Sequence, residues 1–218
     1  MSQMTSNTTQ RLAPRKRKIS TNAMLKVAVL TALAVVLQAL EFKVPFTPPW
    51  LSFDLSDLPA MLGGMTLGPG YAVLIELLKN LLKFTTKGTL TMGVGELANF
   101  VTGCALCVPV AFLYQKKKSL RAVLAGMAIG VVSFCVLGAV LNITVLMPLY
   151  MSAFGGDTVL SMAMQINPAW NSINRIVALG VTPFNLMKGV VVSVATALLY
   201  KLIAPLLLRE SQRKQAEK

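Results

Sequence analysis

The chain has 218 residues, of which 55% are hydrophobic and 13% are charged, and it carries a formal net charge of +13. Its mean hydropathy of +0.65 is typical of a membrane protein and excludes an ordinary soluble domain. We do not expect a nucleic-acid partner, because the basic residues are concentrated at the two ends and between apolar segments, at Lys116 to Lys118 and at Arg121.

Six apolar segments follow one another and predict an all-α membrane protein with six transmembrane helices. They cover residues 25–40, 55–67, 71–84, 92–114, 122–149 and 181–208. The second segment would have to be short or tilted, because Gly68, Pro69 and Gly70 end it early. The weakly apolar stretch 150–180 predicts a long external loop with an interfacial piece.

The distribution of Lys and Arg predicts that both ends of the chain are cytoplasmic. This orientation puts the basic clusters at residues 11–18 and 116–121 on the same side as the basic C-terminal residues. We therefore expect residues 1–23 to form a disordered basic cytoplasmic tail and residues 24–208 to form the six-helix membrane domain. Residues 209–218 would form a second basic cytoplasmic tail.

A proline-rich external loop is predicted between the first two helices, since three prolines between residues 45 and 49 block a regular helix. Aromatic side chains accompany the prolines at Phe46, Trp50 and Phe53. They have two interpretations: they form a lid over a cavity, or they anchor the loop among lipid headgroups.

Polar residues interrupt several of the apolar segments, where an ionisable group costs about 2.5–3.5 kcal/mol at the bilayer centre. They are Glu76, Lys79, Asn80, Glu96, Asn99, Asn142, Asn185 and Lys188. Because hydrocarbon offers no hydrogen-bond partner, we expect them to face the bundle interior. Two interpretations stay open: they line a cavity for a flat ring with polar edges, or they hold helices together. Lys188 has a third, in which its ammonium snorkels to the interface.

Two pairs of small residues at a spacing of four would let another helix approach closely. Ala28 and Ala32 lie on the first predicted helix, and Gly126 and Gly130 on the fifth. The pattern is weak evidence for a partner, because it arises easily by chance in a chain rich in alanine.

An enzymatic function has little support in the sequence. The chain has no histidine, no GxSxG motif and no GxxxxGK[ST] phosphate loop, so we expect it not to hydrolyse ATP itself. Cys104 and Cys107 have the spacing of a metal or redox pair, but no second pair or histidine completes a zinc set. We interpret these cysteines as structural, and we expect neither a metal nor a cofactor.

Four motifs give the chain a resemblance to a known family. They are the segments LSFDLSDLPA at 51–60, GELANF at 95–100, MPLY at 147–150 and PFNLMKG at 183–189. In this order they resemble the riboflavin-specific substrate-binding subunits of energy-coupling factor (ECF) transporters. The resemblance extends over about residues 25–208, so only the tails lie outside it.

The resemblance implies a six-helix subunit of the bacterial plasma membrane that captures riboflavin at its outer face as a transported substrate. It implies docking through Ala28 and Ala32 onto a transmembrane coupling subunit, which two ATPase subunits drive with ATP. The motifs carry the flavin-binding positions of the family onto Asn142, Asn185 and Lys188 of this chain.

Further substrate-binding positions follow from the resemblance. It implies that the loop from residue 46 to 55 covers the pocket, which makes Phe46 and Asp54 candidates for ligand contact. Asn80, Glu96 and Asn99 are also candidates, although the same residues would serve to hold helices together.

Two other functions compete with this one on the residues alone. The chain could be a stand-alone secondary transporter that couples the uptake of a vitamin-like solute to protons or sodium through Glu76 and Glu96. It could also be a non-transporting membrane scaffold that pairs with other helices through Gly126 and Gly130.

Overall fold

The computed structural model describes residues 21–89 and 93–216, with side chains up to Tyr200. Within these ranges the chain is helical and contains no strand, apart from an isolated antiparallel bridge between Phe42 and Phe53. The predicted all-α class is therefore confirmed. The N-terminal tail that was predicted as disordered lies, up to residue 20, outside the described residues.

Nine α-helices and two π-helical segments make up the described chain. The α-helices are α1 (Thr21–Ala39), α2 (Asp57–Leu67), α3 (Pro69–Lys87), α4 (Val94–Lys116), α5 (Leu120–Leu141), α6 (Met147–Phe154), α7 (Gly156–Ile166), α8 (Ile173–Ile176) and α9 (Thr182–Ala216). The π-helical segments are Asn142–Leu146, between α5 and α6, and Val177–Val181, between α8 and α9.

Four helical stretches of the described chain are long and apolar enough to cross a membrane. They are Thr21–Ala39, Val94–Lys116, Leu120–Phe154 and Ile173–Tyr200. Helix α2 has 11 residues and is therefore only about 16 Å long, roughly half the thickness of a hydrocarbon core. Helix α3 carries several charges and is not among the four stretches. The number of six transmembrane helices stays a prediction.

The predicted loop over residues 150–180 is wrong. The helical stretch Leu120–Phe154 runs through a π-helical segment, and α7 follows directly after Gly155. The last stretch already begins at Ile173. The loop was predicted from Gly155, Gly156, Pro168 and Trp170, but the two glycines only separate α6 from α7, and Pro168 and Trp170 lie in the short connection between α7 and α8. Lys188 therefore lies well inside its helical stretch, not near its start.

Helix α2 is enclosed by its neighbours. All of its residues from Asp57 to Met65 are buried, as expected for a helix that is apolar on every side. It packs against α1, α3, α4 and α9. Gly64 allows this close approach, since a Cβ atom there would lie 2.7 Å from the Cβ of Ala111 and 2.8 Å from that of Ala72.

Helices α4 and α5 form an antiparallel pair through Gly126 and Gly130. A Cβ atom at Gly126 would lie 2.6 Å from Cα of Val110, and one at Gly130 would lie 2.4 Å from the carbonyl oxygen of Leu106. Both glycines are buried within this chain. The hypothesis of a scaffold that pairs with other proteins through Gly126 and Gly130 is therefore wrong, because α4 already occupies that surface.

Candidate functional site

A cavity of about 860 Å³ lies among the helices, within the range of roughly 300–1,000 Å³ that is usual for small-molecule sites. Its walls come from the loop between α1 and α2, from α3 and α4, from α5 with the π-helical segment after it, and from α6, α7 and α9. Six of the eight residues predicted to bind substrate line it: Asp54, Glu96, Asn99, Asn142, Asn185 and Lys188.

Asn142 gives one wall of the cavity an acceptor. Its Nδ2 donates to the carbonyl oxygen of Gly138 at 2.8 Å, which fixes the amide. Its Oδ1 is buried and has no hydrogen-bond partner among the described residues. A buried carbonyl oxygen without a partner is rare in proteins, so this atom is a candidate for a ligand contact.

Asn185 lies against the same turn of α5. A Cβ atom at Gly138 would lie only 2.2 Å from Nδ2 of Asn185, so glycine is required there for the amide to fit. Thr102 of α4 is also close, with Cγ2 4.0 Å from that position. We call the part of the cavity walled by Thr102, Phe134, Gly138, Asn185 and Lys188 the inner wall.

Two π-helical segments shape this region, one beginning with Asn142 and one ending at Val181, just before α9. Each is followed within two residues by proline, Pro148 and Pro183. Proline cannot donate to the carbonyl one helical turn earlier and its ring crowds that carbonyl, so a locally wider turn relieves the clash. π-Helical turns are frequent at functional sites. Sequence analysis missed both, although the two prolines were a usable signal.

The ammonium of Lys188 is held by two carboxylates behind the inner wall. Nζ donates to Oδ2 of Asp54 at 2.9 Å and lies 3.6 Å from Oδ2 of Asp57. All three side chains are nearly inaccessible to solvent. The Lys188 side chain therefore does not snorkel to the surface of the bundle.

A second lysine continues this buried ionic network into the core. Lys79 forms ion pairs with Asp57 and, at 2.9 Å, with Glu76, and it donates to Oγ of Ser56 at 3.0 Å. Gly103 makes room for the carboxylate, since a Cβ atom there would lie 2.3 Å from Oε2 of Glu76. The network joins the α1–α2 loop, α2, α3 and α9 around charges that each have a partner of opposite sign.

Asn80 is placed behind the cavity wall. It is buried, its Nδ2 donates to the carbonyl oxygen of Glu76 at 2.8 Å, and its Oδ1 accepts from Nδ2 of Asn99, also at 2.8 Å. Asn99 lines the cavity, whereas Asn80 is not among the residues that do. The observed contacts of Asn80 are those of a residue that orients Asn99 and joins α3 to α4.

The mouth of the cavity carries a small charged cluster. Glu41 accepts from Lys83 at 2.7 Å and from Lys87 at 3.1 Å, which ties the loop after α1 to the end of α3. Burial would raise the pKa of the Glu41 carboxyl, but the two ammonium groups outweigh burial and hold that pKa below its usual value. Glu96 also lines the cavity, and its Oε2 accepts from Oγ1 of Thr89 at 3.0 Å.

The aromatic residues of the α1–α2 loop have different positions. Phe46 is 86% exposed, has a positive φ of 62° and does not line the cavity. Phe53 is buried against Phe42, with ring centroids 5.3 Å apart. Trp50 lines the cavity, packs 5.9 Å from the ring of Tyr150, and has an indole N–H that lacks a hydrogen-bond partner among the described residues.

Sequence analysis did not name Thr102, Gly138 or Tyr150 as site residues, and it missed the contact of Asp57 with Lys188. Thr102, Gly138 and Tyr150 contribute to the wall through shape and packing. Such contributions leave no polar signal in an apolar segment. Asp57 was visible as an acidic residue in a motif, but its partner Lys188 is distant in the sequence.

Ala28 and Ala32, the predicted docking residues, lie on the exposed face of α1. Large apolar side chains surround them on that face, including Leu25, Val29 and Val36, which are all more than half exposed. Because both alanines are exposed in the described chain, a transmembrane partner could reach them.

Comparison with known proteins places the chain in a family. Residues 22–200 match the family model of the ECF transporter, substrate-specific component. The riboflavin transporter RibU of Staphylococcus aureus is 32% identical over 188 residues, which cover 85% of this chain and 92% of RibU. The riboflavin transporter FmnP of Bacillus subtilis is 29% identical, over 84% of this chain and 92% of FmnP.

A solved structure agrees with these relatives. The S component of a bacterial ECF transporter superposes with a TM-score of 0.68 at 31% identity, over 85% of this chain and 97% of that one. The chain therefore has the fold of a solved S component of an ECF transporter. This chain belongs to the family of substrate-specific components of ECF transporters.

Proposed function

We propose that this chain captures riboflavin and takes it up across the bacterial plasma membrane as the substrate-binding subunit of an ATP-driven ECF transporter. The observation that carries the proposal is the cavity of about 860 Å³, whose walls combine apolar and aromatic side chains with a few amides and with lysine and carboxylate groups. The names of the relatives in Staphylococcus aureus and Bacillus subtilis, both riboflavin transporters, support the choice of ligand.

The chemistry of the cavity suits a flavin. The isoalloxazine ring has two apolar faces and an imide-like edge with one N–H donor and two carbonyl acceptors. Oδ1 of Asn142 can accept from the N–H, while the Asn185 amide and the Lys188 ammonium can donate to the carbonyls. The aromatic rings of Trp50 and Phe134 supply apolar surface for the ring faces.

We assign the other predicted residues to more distant parts of the ligand or to support of the wall. Glu96 and Asn99 line the cavity and can accept from or donate to ribityl hydroxyls. Asp54 and Asn80 act through Lys188 and Asn99, the residues that they hydrogen-bond. Nothing in the geometry of the described residues supports a contact between Phe46 and the ligand.

We place six segments in the membrane: α1, α2, α3, α4, α5 with its extension to Phe154, and the stretch that contains α9. Residues 24–208 then form the substrate-binding domain, and the basic residues before and after it form cytoplasmic tails. The exposed basic residues between α4 and α5, from Lys116 to Arg121, support this orientation, because cytoplasmic loops are enriched in Lys and Arg.

The partners in this proposal are a transmembrane coupling subunit and two ATPase subunits. Ala28 and Ala32 on the exposed face of α1 form the contact with the coupling subunit. The chain has no phosphate loop of its own, so the ATPase subunits supply the energy and this chain supplies only the binding site.

The competing hypothesis of a stand-alone transporter driven by protons or sodium loses part of its support. It assigned the coupling ion to Glu76 and Glu96; Glu96 lines the cavity, but Glu76 is fully buried and paired with Lys79. Breaking a buried ion pair typically costs about 3–5 kcal/mol, which makes Glu76 a poor site for a reversible load.

The experiment that tests the proposed function is an absorption spectrum of the chain purified from cells fed with riboflavin. We expect a bound flavin with its visible bands at close to one equivalent per chain. In Gly138→Leu the larger side chain would occupy the space of the Asn185 amide, so this variant should purify colourless. Folded protein without flavin from the unaltered chain would contradict the proposal.

A further inference from the structure

In the buried ionic network behind the inner wall, two carboxylates face the single ammonium of Lys188, which is one more than is needed to balance its charge. Asp54 and Asp57 both face its ammonium, at 2.9 Å and 3.6 Å. Asp57 is itself paired with Lys79, and Lys79 with Glu76. Three carboxylates and two ammonium groups thus share one buried region, and none of the five side chains is exposed.

The position of Lys188 is fixed by these contacts. An alkyl ammonium has three donors, and Lys188 uses one for its hydrogen bond to Asp54. Asp54 is in turn fixed, because its other oxygen accepts from the backbone N–H of Ser56 at 2.8 Å. The remaining N–H groups of Lys188 can reach the cavity, of which Lys188 is a lining residue.

The carboxylates also set the charge that a ligand meets. A lone ammonium in a poorly solvated cavity would attract an anion strongly, because charges interact more strongly away from water. Two carboxylates at contact distance cancel that attraction. What the inner wall then offers is a hydrogen-bond donor without a net positive charge.

We propose that Asp54 and Asp57 are positioning residues that fix the Lys188 ammonium at the inner wall and cancel its charge, so that the site selects a neutral ring edge over an anionic one. The inference rests on the proposed function, since it takes riboflavin as the ligand. It adds that Asp54, although it lines the cavity, determines specificity through Lys188, the residue that it hydrogen-bonds.

The ring itself provides the test, because the N–H of its imide-like edge ionises in alkaline solution. Riboflavin can therefore be offered to the same protein as a neutral or an anionic ring. We expect the affinity of the unaltered chain for riboflavin, measured by flavin fluorescence, to fall as the pH rises through the ionisation of the ring. Affinity that holds or increases for the anionic ring would overturn the proposal.

Asp54→Asn separates this role from a purely structural one. The variant removes one of the two carboxylates that face Lys188 and so leaves its ammonium less neutralised, and the neutral ring should bind more weakly and the anionic ring relatively better. We expect the ratio of the dissociation constants of variant and unaltered chain to decrease by about tenfold or more from neutral to alkaline pH. A loss of affinity that is the same at every pH is the result of a structural role and would overturn the proposal.

Other ionisable groups lie near the site, and a second background, Lys188→Met, separates their effects from that of Lys188. Glu76, Lys79 and Cys107 lie near Asp57 in the core, and Lys43, Lys83 and Lys87 lie at the mouth of the cavity. In Lys188→Met the pH-dependent effect of Asp54→Asn should disappear, because no ammonium remains to be unmasked. If the effect persists in Lys188→Met, it does not act through Lys188 and the proposal is wrong.

A control variant and a double variant separate the expected effect from a general loss of binding or folding. Asp157→Asn, the same change at an exposed position of α7 outside the cavity, should bind like the unaltered chain at every pH. The Asp54→Asn, Lys188→Met double variant removes one charge of each sign from this site and should fold even if Asp54→Asn alone does not. If the unaltered chain binds no riboflavin at neutral pH, the proposed function fails first, and that outcome is distinct from a changed pH profile.

Discussion

At the scale of single residues, the account depends on a few side chains whose hydrogen-bonding groups face the cavity. The candidate residues Asn142, Asn185 and Lys188 were identified in the sequence because each is polar in an apolar segment. Their grouping around one cavity follows only from the fold. What the sequence could not predict is the support behind them, since Asp54 and Lys188 are 134 residues apart.

Asn185→Ala tests the amide of the inner wall. The substitution leaves a buried ligand carbonyl without a donor, so we expect a loss of about 1–3 kcal/mol in riboflavin binding, measured by fluorescence titration. The matched control is Asn174→Ala, at an exposed position of α8. Equal affinities of Asn185→Ala and the unaltered chain would exclude a contact between this amide and the ligand.

Gly138→Ala tests the fit of Asn185 against α5. The added methyl group would lie 2.2 Å from Nδ2 of Asn185, so the amide must move out of its position. We expect a cost of about 1–3 kcal/mol, divided between stability and riboflavin affinity. Gly156→Ala is the control, because nothing lies within 4 Å of a Cβ atom there. Unchanged affinity and melting temperature in Gly138→Ala would contradict the packing described.

The Glu41 ion pairs predict a dependence of stability on pH. Because the pKa of Glu41 is lower in the folded chain than its usual value, its pairs with Lys83 and Lys87 stabilise the fold above the pKa of the unfolded chain. This contribution is lost as the pH falls through the folded-state pKa. Glu41→Gln should therefore lower the melting temperature at neutral pH and have little effect in acid. A difference that grows in acid would contradict the assignment.

At the scale of helices, the length of an apolar segment predicted well whether a long helix exists there. It predicted poorly where that helix begins and ends. The first, fourth, fifth and sixth predicted segments correspond to the four stretches that can cross a membrane. The stretch 150–180 was misassigned because Gly155, Gly156 and Pro168 suggest a loop, whereas two of them only separate α6 from α7. The low helix propensity of glycine and proline is overridden in this stretch by packing, since Trp170, Ile176 and Met147 form a second small core.

The pair formed by α4 and α5 gives a prediction at this scale. Gly130→Ala places a methyl group 2.4 Å from the carbonyl oxygen of Leu106, so the helices must separate. We expect the variant to be less stable by about 1–3 kcal/mol, measured as a lower melting temperature in detergent. Gly70→Ala, at a position with open space around it, is the control. Equal melting temperatures would show that the helices are farther apart.

At the scale of the whole molecule, the cavity and the exposed face of α1 belong to separate functions. The cavity is lined by residues of this chain, and in the proposed function it holds the substrate, while the exposed Ala28 and Ala32 of α1 meet a partner. Sequence patterns predicted the all-α class and most of the polar residues that line the cavity. They could not predict the ionic network or the π-helical turns, because both depend on contacts between helices.

Ala32→Leu separates the two surfaces. The larger side chain should impair docking on the coupling subunit, so riboflavin uptake in cells that contain the whole transporter should fall at least about tenfold. Riboflavin affinity of the purified variant should not change. Ala125→Leu, on an exposed part of α5, is the control and should keep uptake. Normal uptake by Ala32→Leu would contradict a role of this face in docking.

The measurement that tests the central claim most directly is a fluorescence titration of the purified, flavin-free chain with riboflavin, thiamine and biotin in turn. We expect saturable quenching of riboflavin fluorescence at one equivalent per chain, and no relief of that quenching by thiamine or biotin. A folded chain that leaves riboflavin fluorescence unchanged, or that binds thiamine or biotin more tightly, would contradict it.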